Sequence, residues 1–252
     1  VDARARLRSI SPAAFHVARA SKLAFDAVRA FPLRKYPEIP HTVSTYMRVN
    51  DAVPFGHEHR EMLEVASAIY SLPRSVRGVF VEAGSFKGAS AAKLSIACAH
   101  MGRKMHIFDS FEGLPPTKED HGANIWGVPA SFSEGEYAGS LKEVKEAIRR
   151  FGVIDICEFH KGWFEETLPT FKKWVAGAYL DVDLQSSTRT CIRYLYPLLQ
   201  PGGFIFSQDG HLPLIIELLS DKRFWVDEVG TVPPVIHGLG KRKLIRIEKA
   251  TT

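Results

Sequence analysis

The stretch VRGVFVEAGSFKGAS, Val76 to Ser90, is a short apolar run that halts at an acid and a glycine and then passes into an alanine-rich segment. A run of eight residues rich in Val and Phe suits a strand buried on both faces. Gly84 permits a tight turn, and Gly88 opens a helix expected over 89–101 with its first N–H groups free. A strand that hands the chain to a helix in this way is the unit of a parallel sheet. Downstream the alternation repeats. Strands are expected over 104–109 (KMHIFD), 154–160, 178–183 (AYLDVD) and 203–209 (GFIFSQD), with helices over 141–151, 188–199 and 215–219. Two further expected strands, 224–229 and 243–249, follow each other without a long helix between them, so one of them should run antiparallel at that edge. The expected fold class is α/β: a mostly parallel, Rossmann-like seven-stranded sheet with an antiparallel edge strand.

Upstream of Val76 the pattern is helical. Phe15, Ala18, Lys22, Phe25 and Val28 are spaced by three or four, and a second helical patch runs from Glu58 to Tyr70, ended by Pro73. Pro32, Pro37 and Pro40 make Phe31 to Pro40 a connector. Residues 1–75 therefore read as an N-terminal helical extension, residues 76–252 as the main domain, and 113–140 as a lid-like insertion rich in Gly, Pro and aromatics. Residues 1–36 hold eight basic and two acidic residues, while the rest of the chain holds 25 basic and 26 acidic. The positive excess is thus confined to residues 1–36. A near-neutral body gives no footprint for nucleic acid. The basic helix suits either an anionic membrane surface or packing on the domain or on a second subunit; packing is favoured because its apolar face is small. No apolar run approaches a membrane span. Three widely spaced cysteines, Cys98, Cys157 and Cys191, argue against a disulfide framework and for a cytoplasmic setting.

In parallel sheets ligands bind at the carboxyl ends of the strands. Glu82 and Gly84 end the first strand in the spacing E-x-G-x-x-x-G, which is not a dinucleotide fingerprint; an acid there suits a ligand with an amino group. Asp109 ends the second strand, where a carboxylate can accept both hydroxyls of a ribose. Together they suggest S-adenosylmethionine. Asp181 and Asp183 end one strand and Gln208–Asp209 the next, a set of hard oxygen donors suited to Mg²⁺.

With those phrases in view the chain resembles the macrocin O-methyltransferase family, which methylates sugar hydroxyls on macrolide and aminocoumarin antibiotics. The resemblance runs from about Thr42 to the C-terminus and rests on VFVEAGSFKGAS, HIFDSFEGLPP, EFHKGWFEETLP and YLDVDLQSSTRTCIRYLYPLLQPGGFIFSQDG in order. More distantly, the E-x-G-x-x-x-G-x-S turn is similar to that of catechol O-methyltransferase. The resemblance implies a class I methyltransferase fold, S-adenosylmethionine and a divalent metal. By position, Glu82, Gly84 and Ser90 would hold the methionine part, Asp109 with Ser110 the ribose, and Gly162 and Trp163 the adenine side. Asp181 and Asp209 match metal-site aspartates, and Gln208 stands where the family has an acid. A neutral amide there implies weaker metal binding or a dispensable metal.

The expected reaction is methyl transfer to a hydroxyl of a glycosylated or polyketide-type small molecule. Asp181, Asp183, His121 and His211 are the candidate proton acceptors. A homo-oligomer is expected. Two rivals remain: a metal-dependent glycosyltransferase that uses Asp181-Val182-Asp183, and a non-catalytic cofactor-binding scaffold held at a membrane by the basic helix.

Overall fold

The computed structural model describes residues 12–249. Arg4, Arg6, Arg8 and Asp2 of the basic segment lie outside the described residues. Seven strands form one sheet: β1 (Val79–Ala83), β2 (Met105–Asp109), β3 (Cys157–Lys161), β4 (Val175–Leu180), β5 (Leu199–Ser207), β6 (Ile236–His237) and β7 (Ile245–Glu248). Their order is β3-β2-β1-β4-β5-β7-β6. β1 to β5 run parallel, and β7 runs antiparallel to both β5 and β6. The antiparallel strand thus stands one place in from the edge, which the two-residue β6 occupies.

The strand order reverses between β1 and β4, so the crevice outside their carboxyl ends is the natural ligand position. Alternate side chains of β1 enter different cores. Phe80 packs with Met105, Ile107 and Tyr179 beneath the N-terminal helices, while Val81 and Ala83 pack with Leu180, Ile192 and Trp225 on the other face. Glu82 shares the first face with Phe80, which puts a carboxylate inside an apolar layer.

Among the described residues eight α-helices flank the sheet: α1 (Pro12–Ala30), α2 (Ile39–Ala52), α3 (His59–Ser71), α4 (Ala89–His100), α5 (Leu141–Phe151), α6 (Phe164–Thr167), α7 (Gln185–Leu198) and α8 (Pro213–Ser220). The helices before β1 are not a separate layer. Leu23, Tyr46, Val49, Met62 and Ile69 belong to the same core as Phe80, Ala91 and Leu94. α1 buries Leu23 and Ala27 and leaves Phe25 and Val28 exposed, so the expected stripe is rotated toward solvent. Pro40 begins α2 rather than a connector, as a proline can where the first N–H needs no partner.

Phe224–Val229 is a wide π-helical turn and not a strand. A short apolar run reads the same either way. Here Phe224 and Trp225 are buried, Trp225 lies edge-on to Tyr196 of α7, and its indole N–H donates to the Leu219 carbonyl at 2.9 Å. The sixth strand is supplied by Ile236–His237 instead. Among the described residues no helix is long and apolar enough to cross a membrane.

Candidate active site

An open cleft lies at the carboxyl ends of β1, β2 and β4. It brings together Gly84, Ser90, Asp109, Ser110, Gly162 and Trp163, with Asp181 and Asp183 on one side. The loop Pro54–His57 between α2 and α3 forms a further wall, and Leu114, Pro115 and Tyr137 of the insertion another. Four non-glycine residues have positive φ among the described residues: Phe86, Phe111, Tyr137 and Asp183. Three line the cleft and the fourth is two residues from Asp109. Such backbone strain collects where a site must be held in shape.

At the β1 end Glu82 is fully buried, and neither carboxylate oxygen has a hydrogen-bond partner among the described residues. Burial pushes its carboxyl up to about 8; the Ser90 hydroxyl pulls the other way without reaching hydrogen-bond geometry, and Asp109 and Asp181 add to the rise. An orphaned buried carboxyl at this point fits a ligand ammonium. Gly84 has φ +81, and a Cβ there would meet the Asp181 carbonyl oxygen at 1.9 Å, so only glycine lets β1 and β4 end side by side.

Asp109 is already engaged. Its Oδ2 accepts from the Ser85 N–H at 2.6 Å and the Ser85 hydroxyl at 2.9 Å, and its Oδ1 from the Phe111 N–H at 2.7 Å. Burial raises its pKa while these donors lower it. A carboxylate offers about four acceptor positions, so one remains on Oδ1 and rotation of the Ser85 hydroxyl frees a second.

Asp181, Asp183 and Asp209 converge, with one ligand oxygen from each within 4.8 Å of the others. Asp209 sits beneath, its Oδ2 accepting from the N–H groups of Val182 and Asp183 at 3.2 Å each. Burial pushes Asp209 up to about 7, with Asp181 adding to it; Asp183 is driven well above the usual carboxylate range by burial, Asp209 and Asp181. Burial raises Asp181 as well, and the Lys243 ammonium opposes the rise in all three. Three clustered hard oxygens with suppressed ionisation fit a divalent cation.

Gln208 is engaged by two other side chains. Its Oε1 accepts from the Tyr179 hydroxyl at 3.2 Å, and its Nε2 donates to Glu61 of α3 at 2.6 Å. The same Tyr179 hydroxyl lies 3.2 Å from Asp181 Oδ2. The amide is thus the donor that the Glu61 carboxylate needs, where an acid would have repelled it.

The two histidines stand off the cleft. His121 is buried, bonded through Nε2 to the Asp183 carbonyl at 3.2 Å, with Nδ1 unpartnered. His211 packs against Trp126 of the insertion, its Nδ1 also without a partner, and burial lowers it to about 4. The insertion itself is docked: the Glu119 carboxylate accepts from the Gln185 and Ser186 N–H groups that open α7, and Ile125 N–H donates to the His211 carbonyl.

Residues with no signal in the sequence complete the site. Lys243, just ahead of β7, donates to the Gly56 carbonyl at 2.9 Å and sets its charge against the acids. Lys93 of α4 is buried with no carboxylate partner among the described residues; its ammonium bonds Asn50 Oδ1 at 2.6 Å and His57 Nε2 at 2.8 Å and lies over the Phe55 ring. Burial lowers it to about 7.

The sheet order is that of the class I methyltransferases. The model of the macrocin-O-methyltransferase (TylF) family matches residues 55–223, and the chain belongs to that family. Among curated proteins it is 32% identical over 157 residues to the 8-demethyl-8-(2,3-dimethoxy-alpha-L-rhamnosyl)-tetracenomycin-C 4'-O-methyltransferase of Streptomyces olivaceus, covering 60% of each chain. It is 28% identical to the mycinamicin III 3''-O-methyltransferase of Micromonospora griseorubida, over 75% of this chain and 72% of that one. The chain thus spans less than two thirds of the first of these. The O-methyltransferase NovP shares the fold with a TM-score of 0.62 at 20% identity, over 78% of this chain and 83% of that one. The calicheamicin methyltransferase CalS11 does so with 0.57 at 20% identity, over 87% and 95%.

Proposed function

We propose that the chain transfers the methyl group of S-adenosylmethionine to a hydroxyl of a small acceptor of the glycosylated or polyketide type, with Mg²⁺ held by Asp181 and Asp209 beside Asp183. The convergence of those three carboxylates beside the cleft of a methyltransferase fold carries this reading. The acceptor class follows relatives named for methylating rhamnosyl-tetracenomycin and mycinamicin.

S-adenosylmethionine supplies a methyl group already activated on a sulfonium. Glu82 and Ser90 hold its amino-acid end, Asp109 its ribose, and Gly162 and Trp163 flank its base. Asp181 and Asp209 would hold Mg²⁺, whose positive charge would favour loss of the acceptor hydroxyl's proton. Asp183, strained at φ 59 and facing the cleft, takes that proton. A carboxylate positioned at the acceptor hydroxyl is worth roughly 10²–10⁴ in rate as a general base. Asp209 holds the backbone of Val182 and Asp183 in place, so the base and the metal ligands are positioned together. The insertion, pinned at Glu119 and His121, acts as a lid that excludes water and aligns the acceptor.

Asp183→Asn tests the assignment. Turnover with a glycosylated macrolide acceptor should fall by about 10²–10⁴, with cofactor affinity unchanged. Full activity would remove Asp183 as the base.

A further inference from the structure

On the far side of β2 from the acid cluster, His106, Glu158 and His160 bring one ligand atom each within 4.8 Å of one another. The sheet builds this. His106 of β2 pairs in register with Glu158 of β3, and Glu158 and His160 are two apart, so all three side chains leave the same face. His106 Nδ1 lies 2.8 Å from His160 Nε2 and 3.6 Å from Glu158 Oε2. The rings are held by packing: His160 stacks on Phe108 with centroids 4.1 Å apart and planes 5° off parallel, and His106 lies against Phe171 at 5.1 Å. His106 is fully buried, while Glu158 is about half exposed on the edge strand, which leaves an approach from solvent.

We propose that these three residues form a transition-metal site of the Zn²⁺ type, separate from the acid cluster. Two imidazoles and one carboxylate are a borderline-soft donor set, which selects Zn²⁺ and its neighbours over Mg²⁺. Ligands about 2.0–2.1 Å from a tetrahedral ion stand roughly 3.3 Å apart. The 2.8 Å and 3.6 Å spacings bracket that value, so opening the imidazole pair by roughly half an ångström admits the ion. Water completes the fourth position. Lys104 and Lys173 are close enough to act on His106, and the Glu158 carboxylate is the charge that offsets them. The ion ties the edge strand to the sheet two residues ahead of Gly162, which with Trp163 walls the cleft.

The test uses the full chain, stripped with a chelator, held in excess Mg²⁺ to fill the acid cluster, and titrated with Zn²⁺ by calorimetry and with Co²⁺ by visible absorption. One ion per chain, with the visible bands of four-coordinate Co²⁺, is expected. His160→Phe keeps a ring over Phe108 and removes a ligand; it should abolish the bands and weaken Zn²⁺ by at least the roughly 10–100-fold that loss of an outer-shell partner alone costs. Glu158→Gln should weaken it as well, while Asp209→Asn should leave it unchanged. Wild type and His160→Phe titrating alike would overturn the proposal, as would loss of the same binding in Asp209→Asn. A rise in melting temperature with Zn²⁺ in wild type but not in His160→Phe is the second expected readout, and an equal rise in both would contradict it.

Discussion

Glu82 and Lys93 are two buried ionisable side chains that face opposite directions in pH. Glu82 stands near 8 in the folded protein against about 4.5 ordinarily, so the folded state binds the extra proton between those values. Its contribution to stability therefore falls as pH rises from about 4.5 to 8. Lys93 stands near 7 against 10.5, so here the unfolded chain binds the extra proton, and stability rises with pH from about 7 to 10.5. Urea unfolding at pH 5, 7 and 9.5 should show Glu82→Gln losing the acid-side decline and Lys93→Met losing the alkaline-side gain; slopes unchanged in either variant would contradict the assigned burial. Glu82→Gln should also weaken S-adenosylmethionine. The gathering of Glu82, Gly84, Asp109, Asp181 and Asp209 at one edge of the sheet was legible in the chain because a βα alternation brings the carboxyl ends of parallel strands together. Lys93, Glu61 and Lys243 were not. Their partners Asn50, Gln208 and Gly56 lie 43, 147 and 187 residues away in the chain, and only the tertiary fold brings them together.

The elements that carry the site are held by similarly distant contacts. α7 has Leu184 at its N-terminal boundary, which offers no side-chain cap, and Glu119 of the insertion takes that place at Gln185 and Ser186. Glu119→Ala should cost about 1 kcal/mol, as loss of a capping acceptor does, and should raise hydrogen exchange across 113–140 together. A change in exchange confined to α7 would show that the insertion docks without it. The first helix is also part of the core, since Leu23, Ala27 and Phe31 are buried. Deleting residues 1–36 should lower the melting temperature and expose apolar surface to a dye; an unchanged melt would make α1 an appendage. The alternation of strand and helix was legible from 76 to 220. The failures are local: Pro40 starts a helix and 224–229 coils beneath α7, because a short apolar run and a lone proline carry no information about what they will pack against.

At the scale of the molecule, the strand order reverses at β1 and β4, and the cofactor-side residues and the acid cluster meet at that reversal. The account separates the two ends of the cleft. Asp209→Asn should reduce Mg²⁺ affinity and turnover while leaving cofactor affinity in place, and calorimetry beside initial rates checks it; full activity in the variant would end the metal assignment. The most direct measurement is calorimetric titration of S-adenosylmethionine into chelator-stripped protein, then again with Mg²⁺. The account predicts one cofactor bound per chain in both conditions, weakened in Asp109→Ala, and a separate Mg²⁺ heat that Asp209→Asn abolishes. No cofactor binding in either condition would contradict it.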